Sequence, residues 1–326
     1  MPRDISIVMP AREEHPQATF TLQAIWDQLE DSPFDWETII VDNLSTDKTS
    51  QFCKGRWWER YAKRHHIIKY DEEGSCWQAR NAGIKAAEGR VIFLFDAHVL
   101  VSPDYFVKHI SALDANPSAT ILYGPVVSMG DTRDHRAYGY SFGPEDDPLR
   151  TIRTKFWGSW TRNKFSDAPY RVPMSGTAAM TVRREFLEKL GGWPNELSVY
   201  GGGEQWIALA CWMLGYECWV HPDTYVYHYA DYRKYKDNGS DKSTQDAHHF
   251  NVCLVAYALG GEEWWQARVD HMLEQWKPPY HEGGMRLARE AKEKARMYRE
   301  RIKQLAECSL EEMLERRPWE AVCATL

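Results

Sequence analysis

Val91-Ile92-Phe93-Leu94-Phe95-Asp96-Ala97-His98 decides the fold. Five apolar residues stop at an acid, a small residue and an imidazole. An unbroken apolar run suits a strand buried on both faces, as in a mainly parallel sheet. Its polar end then lies at the carboxyl edge, where open α/β sheets bind ligands. Asp96 and His98 are two residues apart, so on extended backbone their side chains point the same way. One carboxylate oxygen and one imidazole nitrogen form half of a divalent-metal site that leaves positions open for a diphosphate. A strand-end Asp capping a turn beside a surface His fits these residues equally well.

Working outward, Ile5-Ser6-Ile7-Val8-Met9-Pro10 predicts the first strand and Ala11-Arg12-Glu13-Glu14 a loop. Phe20, Leu22, Ile25, Trp26 and Leu29 have helical spacing, which predicts a helix from about Gln17 to Leu29. Glu37 to Asn43 predicts a second strand, and Ser45-Thr46-Asp47 the N-cap of another helix. Ile67 to Tyr70 predicts a third strand, and Gly74 to Ala87 a helix leading into Val91–Phe95. This β-α-β-α-β-α-β order with short connections argues for a doubly wound, mainly parallel α/β sheet with right-handed crossovers. Asp42 and Asn43 then share a rim with Asp96, where they can hydrogen-bond a base and ribose. The same two residues also suit a turn and a helix cap. Further on, the pattern predicts a helix over 104–113, a strand over 120–123, a helix over 182–190 and a strand over 216–220. Beyond Ser243 it predicts helices over 244–259, 262–276, 285–306 and 310–316. Residues 1–240 read as the main α/β domain and 241–326 as a helical C-terminal extension.

A net charge of −7 argues against uniform coating of nucleic acid or anionic membrane. The 15 Trp point to stacking surfaces or to core. The 7 Cys form no CxxC pair, so free thiols in a reducing compartment are expected. No apolar run reaches membrane-spanning length and no signal peptide is visible. The expected location is therefore the cytoplasm, of a cell or of an infected one.

Arg150 to Phe165 interleaves cations with aromatics and holds no acid. Arg153, Lys155, Trp157 and Trp160 can meet phosphates and stack on bases or sugars. The alternative is a surface loop whose rings pack on the core. Pro173 to Met180 is small and tight, which suits backbone passing close to a ligand. Tyr200-Gly201-Gly202-Gly203-Glu204-Gln205-Trp206 delivers Glu204 to a helix N-terminus, where the dipole favours a carboxylate. An ordinary cap would look the same. His228 ends Thr224-Tyr225-Val226-Tyr227-His228 and is a third candidate ligand, although a lone His is more often structural. Met285 to Lys303 carries eight Lys/Arg against three Glu, as a solvated face or a phosphate-tracking ridge would.

Taken in order, these motifs resemble the family 2-like glycosyltransferases of the GT-A fold, and within them the polypeptide N-acetylgalactosaminyltransferases. Ile5–Pro10 with Glu13 is similar to their first strand and loop. Ile40-Val41-Asp42-Asn43-Leu44-Ser45-Thr46-Asp47 resembles their nucleotide-binding segment, with Asn43 where a second Asp is usual. Phe95-Asp96-Ala97-His98 resembles the DxH form of their metal motif. Pro173 through Gly191 resembles their acceptor-side segment, and Gly202-Gly203-Glu204 their WGGEN segment without its Trp. Tyr227-His228 falls at nearly the spacing of their third metal ligand. The resemblance covers about residues 4–235 and does not reach the C-terminal helices.

The resemblance implies Mn2+, or Mg2+, held by Asp96, His98 and His228 and bridging the diphosphate of a nucleotide sugar, a UDP-sugar. It implies donor contacts from Pro10, Glu13, Asp42, Asn43, Arg80, Asp96 and Ala97. Glu204 would orient the sugar or acceptor, which makes Asp96 and Glu204 the catalytic pair. Gly202 and Gly203 would join the basic-aromatic loop on the acceptor side. Glu204-Gln205 stands where many inverting relatives have a Glu-Asp pair, which implies a retaining course. The acceptor ranked first is a 5-hydroxymethyl pyrimidine in DNA, as some bacteriophages make. It would be reached through loop 150–171 and helix 285–303, and a paired base would need flipping. Peptide Ser/Thr and surface polysaccharide follow. A non-catalytic nucleotide- or glycan-binding module is the rival of another class. A nucleotidyltransferase would normally carry glycines after the first strand, and Ala11-Arg12-Glu13-Glu14 has none.

Overall fold

The computed structural model describes residues 3–50, 56–72, 74–129, 136–141, 159–162, 164–199, 201–229, 242–276 and 280–320. It opens with β1 (Arg3–Ala11), α1 (Gln17–Leu29), β2 (Trp36–Asn43), α2 (Arg56–Tyr61), β3 (His65–Tyr70), α3 (Cys76–Ala86) and β4 (Gly89–Phe95). Next come β5 (Val99–Val101), α4 (Tyr105–Ala115), β6 (Ala119–Tyr123), β7 (Val126–Ser128), β8 (Arg136–Ala137), β9 (Tyr140–Ser141), β10 (Ser159–Trp160) and β11 (Tyr170–Arg171). β12 (Ala179–Arg183), α5 (Arg184–Leu190), α6 (Gly203–Met213), β13 (Glu217–Val220) and β14 (Val226–His228) follow. Four helices end the chain: α7 (Lys242–Gly260), α8 (Glu262–Gln275), α9 (Tyr280–Leu305) and α10 (Leu310–Arg316).

Eight strands form the central sheet in the order β11-β13-β6-β12-β4-β1-β2-β3. β4, β1, β2 and β3 run parallel, as their unbroken apolar runs predict. Alternate residues along them feed two cores. Val8, Ile39, Val41, Ile92 and Leu94 face one cluster, with α3, α6 and the C-terminal helices. Ile5, Ile7, Ile40, Val91, Phe93 and Phe95 face the other, with α1 and α4. The apolar faces of α7 to α10 thus continue the same core that holds α6 against the sheet.

β12 corrects the sequence reading, which placed a helix over 182–190. A five-residue strand, Ala179–Arg183, precedes helix Arg184–Leu190. It lies antiparallel between β4 and β6. Five residues hold too little periodicity to separate strand from helix, and the sheet neighbours decide. The inversion serves the site. β12 starts at the rim where β4 ends, with Ala179 opposite Phe95. The loop before it therefore lies beside Asp96, whose N–H donates to the Ala178 carbonyl at 2.8 Å.

The expected helix cap at Ser45–Asp47 is also different. Residues 44–50 form bends and a turn. Their side chains accept main-chain N–H groups from the loop after β1: Glu13 to Ser45 at 3.0 Å, Glu14 to Thr49 at 2.7 Å and His15 to Asp47 at 3.0 Å. Short oxygen-bearing side chains satisfy orphan donors wherever these lie, and here they join two loops at the rim.

A second, four-stranded sheet has the order β5-β14-β7-β8. β14 runs antiparallel to β5 and parallel to β7. Among the described residues, no helix is long and apolar enough to cross a membrane.

Gly89 sits where β4 passes β1 so closely that an added methyl would overlap the Ser6 backbone nitrogen. Its N–H donates to Ser6 Oγ at 2.7 Å, and Ser6 Oγ donates to the buried Glu37 at 2.6 Å. Backbone cannot yield as a flexible side chain can. Gly89→Ala is expected to destabilise the protein by about 1–3 kcal/mol, read from urea unfolding. A midpoint equal to that of the parent would contradict this packing.

Candidate active site

Three remote segments converge at the end of β4. The Thr21 hydroxyl, buried on α1, donates to the Ala97 carbonyl and accepts from the Val99 N–H, both at 3.1 Å. That fixes the turn carrying Asp96, Ala97 and His98 into β5. β14 then pairs with β5, His228 lying opposite Val99, and Tyr229 N–H donates to the His98 carbonyl at 3.0 Å. The pairing brings His228 to the pair read from the sequence. One ligand atom each from Asp96, His98 and His228 lies within 4.8 Å of the others. His228 Nε2 is 3.4 Å from Asp96 Oδ2, and the two imidazoles meet edge to face at 4.9 Å.

Neighbours orient these groups. Arg80 projects from α3 and donates to Asp96 Oδ1 at 2.6 Å and to the Thr177 carbonyl at 3.3 Å. Its guanidinium lies 5.0 Å from the Trp77 ring and 6.0 Å from that of Trp193. Glu14 Oε2 is 3.1 Å from His98 Nδ1. A neutral ring that donates from Nδ1 carries its lone pair on Nε2. Burial works against ionisation of Asp96. The hydrogen bond with His228 and the charge of Arg80 outweigh it and hold the carboxyl below its ordinary 3.8.

Glu204 enters on the first turn of α6. Gly201 and Gly202 precede it at φ values of +86° and +79°, a conformation that glycine adopts without strain. Gly203 lies against the Trp77 ring with no room for a side chain, and its carbonyl accepts from Trp193 Nε1 at 2.9 Å. Thr177 Oγ1 donates to Glu204 Oε1 at 3.2 Å. Burial raises the Glu204 carboxyl above its ordinary 4.5, although its own backbone N–H, Arg80 and Thr177 pull the other way. Four buried polar atoms here have no protein partner: Trp77 Nε1, Arg80 Nε, Glu204 Oε2 and Gln205 Oε1. Buried polar groups are normally paired, so such atoms mark where a polar ligand completes the set.

The other candidates distribute as follows. Asp42 ends β2, buried. Burial opposes its charge, but hydrogen bonds from Lys69, Ser45 and Ser50 keep its carboxyl below the ordinary value. Asn43 donates to the carbonyls of Tyr70 at 3.3 Å and Glu72 at 2.9 Å, which ties β2 to the end of β3. Glu13 Oε1 accepts from the Thr46 N–H at 2.6 Å. Pro10 and Ala97 contribute buried main chain at the rim. Gly202 and Gly203 are buried in the turn before Glu204. Arg153, Lys155, Trp157 and the side chain of Trp160 lie outside the described residues, as do residues 150–158 and 163 of loop 150–171 as a whole.

The basic helix is largely engaged with the protein. Lys292 pairs with Glu262 at 2.6 Å and lies 4.5 Å from the Trp265 ring centre. Arg299 donates to the Leu259 carbonyl at 2.5 Å and Arg301 to that of Lys189 at 2.8 Å. Arg296 and Lys303 pair with Glu293 and Glu300 on their own helix.

Glu14, Thr177 and Trp193 were not singled out from the sequence. Glu14 stands beside Glu13, and nothing in Ala11-Arg12-Glu13-Glu14 says which acid turns toward His98. Thr177 lies in the tight Pro173–Met180 stretch, where only the fold shows which hydroxyl meets Glu204.

Residues 6–191, more than half of the chain, match the model of glycosyl transferase family 2. The chain belongs to that family. N-acetylgalactosaminyltransferase 4 of Drosophila melanogaster is 27% identical over 154 residues, 46% of this chain and 23% of the relative. Human polypeptide N-acetylgalactosaminyltransferase 9 is 24% identical over 257 residues, 76% of this chain and 40% of the relative. This family 2 chain thus spans less than half the length of these relatives. A crystal structure of GalNAc-T7 with UDP, GalNAc and Mn2+ superposes with a TM-score of 0.67 at 17% identity, covering 98% of this chain and 57% of that one. S. aureus TarS 1-349 in complex with UDP gives 0.54 at 14% identity, over 92% and 91%. The fold is the GT-A glycosyltransferase fold, with C-terminal helices present.

A carboxyl whose folded value is raised favours folding below its ordinary value and loses that contribution as pH climbs through the folded one. Glu204→Gln removes the penalty of a buried carboxylate. It is expected to raise the urea midpoint at neutral pH, with the gain vanishing below the ordinary 4.5. A gain constant across that range would contradict the assignment.

Proposed function

We propose that the protein is a metal-dependent glycosyltransferase that moves a sugar from a UDP-sugar to an acceptor hydroxyl with retention at the anomeric carbon. The observation that carries this reading is the convergence of Asp96, His98 and His228 at the rim of a GT-A sheet. One carboxylate and two imidazoles form a mixed oxygen and nitrogen set that suits Mn2+ and, less well, Mg2+. The unpartnered Arg80 Nε and Glu204 Oε2 support a polar ligand beside it. A divalent cation held there offsets charge on the departing diphosphate.

The chain's own residues do the rest. Arg80 occupies Asp96 Oδ1, which leaves Oδ2 on the side of His228. Pro10, Glu13, Asp42, Asn43 and Ala97 shape the nucleoside end, with Lys69 and Ser45 fixing Asp42. Glu204 orients the sugar by accepting from a hydroxyl. The acceptor oxygen bonds to the anomeric carbon as the bond to UDP breaks, and its proton leaves with UDP. Gln205 follows Glu204 where a second acid would serve as base, which supports retention.

Hydroxymethylated DNA ranked first among acceptors on two features, the loop 150–171 and the helix 285–303. Five of the eight cations over Met285–Lys303 are tied to carbonyls or carboxylates, so that helix weakens as a phosphate-tracking ridge. We therefore place a peptide or glycan hydroxyl ahead of DNA. Its relatives named as polypeptide N-acetylgalactosaminyltransferases favour peptide.

With UDP-sugars and Mn2+, UDP release is expected, stopped by a chelator and lowered on the order of 10²-fold or more in Asp96→Asn and His228→Ala. Mass spectrometry of peptides, glycans and hydroxymethylated duplex DNA from the same reactions identifies the acceptor. Donor binding without release, with any acceptor, would mean a binding module instead. Glu14→Gln keeps the ring's neighbour but weakens its hold on His98. It is expected to lower Mn2+ affinity about 10- to 100-fold by calorimetry, and equal affinity would remove Glu14 from the site.

A further inference from the structure

We infer that Asn251, on the C-terminal helix α7, is the positioning residue that sets Glu204 against Arg80. This rests on the donor-site reading above and extends the site to a helix beyond the matched residues 6–191. Asn251 is completely buried. Its Oδ1 accepts from the Ser198 N–H at 2.9 Å. Its Nδ2 donates to the carbonyls of Ser198 at 3.2 Å and Gly201 at 3.1 Å. A planar amide offers a donor and an acceptor in the geometry of a peptide unit, so it pairs with this backbone as a strand would. Gly201 and Gly202 follow in the left-handed region, and the helix begins at Gly203 with Glu204 in its first turn.

The other side of the same strap is held by α3, the helix that bears Arg80. Asn81 exchanges hydrogen bonds with the main chain of Trp193, at 2.8 and 3.0 Å. Ser75 Oγ donates to the Leu197 carbonyl at 2.7 Å, and Gln78 to the same carbonyl at 3.2 Å. Residues 193–199 and 201–203 are therefore held between two helices. α3 fixes the near end together with Arg80, and Asn251 fixes the turn that releases Glu204 into α6. Neighbouring packing leaves no room for side chains at the turn. A Cβ on Gly201 would overlap the His248 ring, and a Cβ on Gly202 would stand 3.2 Å from the Asn251 carbonyl oxygen. Loss of the Asn251 amide frees the Gly201 carbonyl and lets Glu204 drift relative to the anomeric carbon, while the nucleoside end is untouched.

Two variants test this. Asn251→Leu removes every bond. Asn251→Asp keeps the bond from Ser198 N–H and turns the donor into an acceptor facing two carbonyls. Both are expected to lower kcat for UDP release on the order of 10²-fold, the effect of a small misplacement of a reacting group, with KM for the UDP-sugar little changed. Hydrogen exchange is expected to quicken at amides 198–206 and nowhere else. If Asn251→Leu exchanges quickly throughout, it has unfolded, and Asn251→Asp carries the test. Exchange at 198–206 equal to the parent's, or faster exchange with unchanged kcat, overturns the inference. No release by the parent chain overturns the transferase reading instead, and the exchange arm still reads the clamp by itself.

Discussion

The pairing of β14 with β5 is the constraint on which the site depends. β5 is only three residues long and begins immediately after His98. Whatever strand it accepts is therefore registered against the end of β4. A slip of one residue would turn His228 to the opposite face of the small sheet and leave Asp96 and His98 as an incomplete set. Val226, buried on the same face as His228, opposes such a slip, because it would have to leave the core beside Val101. Apolar burial thus fixes the register of a polar ligand.

Arg80 is the electrostatic counterpart of that pairing. It is almost wholly buried, next to two carboxyls that burial raises alike but whose net shifts are opposite. Asp96 has a direct hydrogen bond from Arg80 and two imidazoles nearby, and stays charged readily. Glu204 has a hydroxyl donor and only the more distant influence of the same guanidinium, and burial prevails. Two acids near one cation are thereby separated in proton affinity, the arrangement that lets neighbouring carboxyls take different roles. The Trp77 and Trp193 rings exclude water around the guanidinium and strengthen both effects.

Much of this was legible in the sequence where one physical signal dominates. The buried strands announce themselves as apolar runs, and α1 as a 3.6-residue spacing that the structure reproduces from Gln17 to Leu29. The Asp96/His98 pair was legible because strand geometry fixes the direction of both side chains. His228 had no local signal, since its position comes from a strand pairing across more than a hundred residues, and only the family resemblance gave it weight. β12 was missed because five residues among small neighbours carry no period. Ser45–Asp47 misled because oxygen-bearing side chains that cap a helix serve equally to bind a neighbouring loop. Met285–Lys303 looked like a ridge because a sequence shows cations without the carbonyls that receive them.

The same limit explains why the C-terminal helices looked like an appendage. Their composition changes sharply, with dense charge and little β-branching, and composition is what a linear reading weighs. Their buried residues nevertheless belong to the core that seats α6. Val252, Leu254, Val255, Trp265 and Met313 lie in one cluster with Trp206, Leu209 and Met213. α6 carries Glu204 at its first turn, so its seating decides where that carboxyl stands. A helix added to a sheet can stabilise it anywhere along its surface. α7 is packed against α6 and also donates an amide to the turn before it. The charged outer face and the apolar inner face of α7 to α10 therefore have different origins. Solvation explains the first, and apolar packing against α6 and the sheet explains the second.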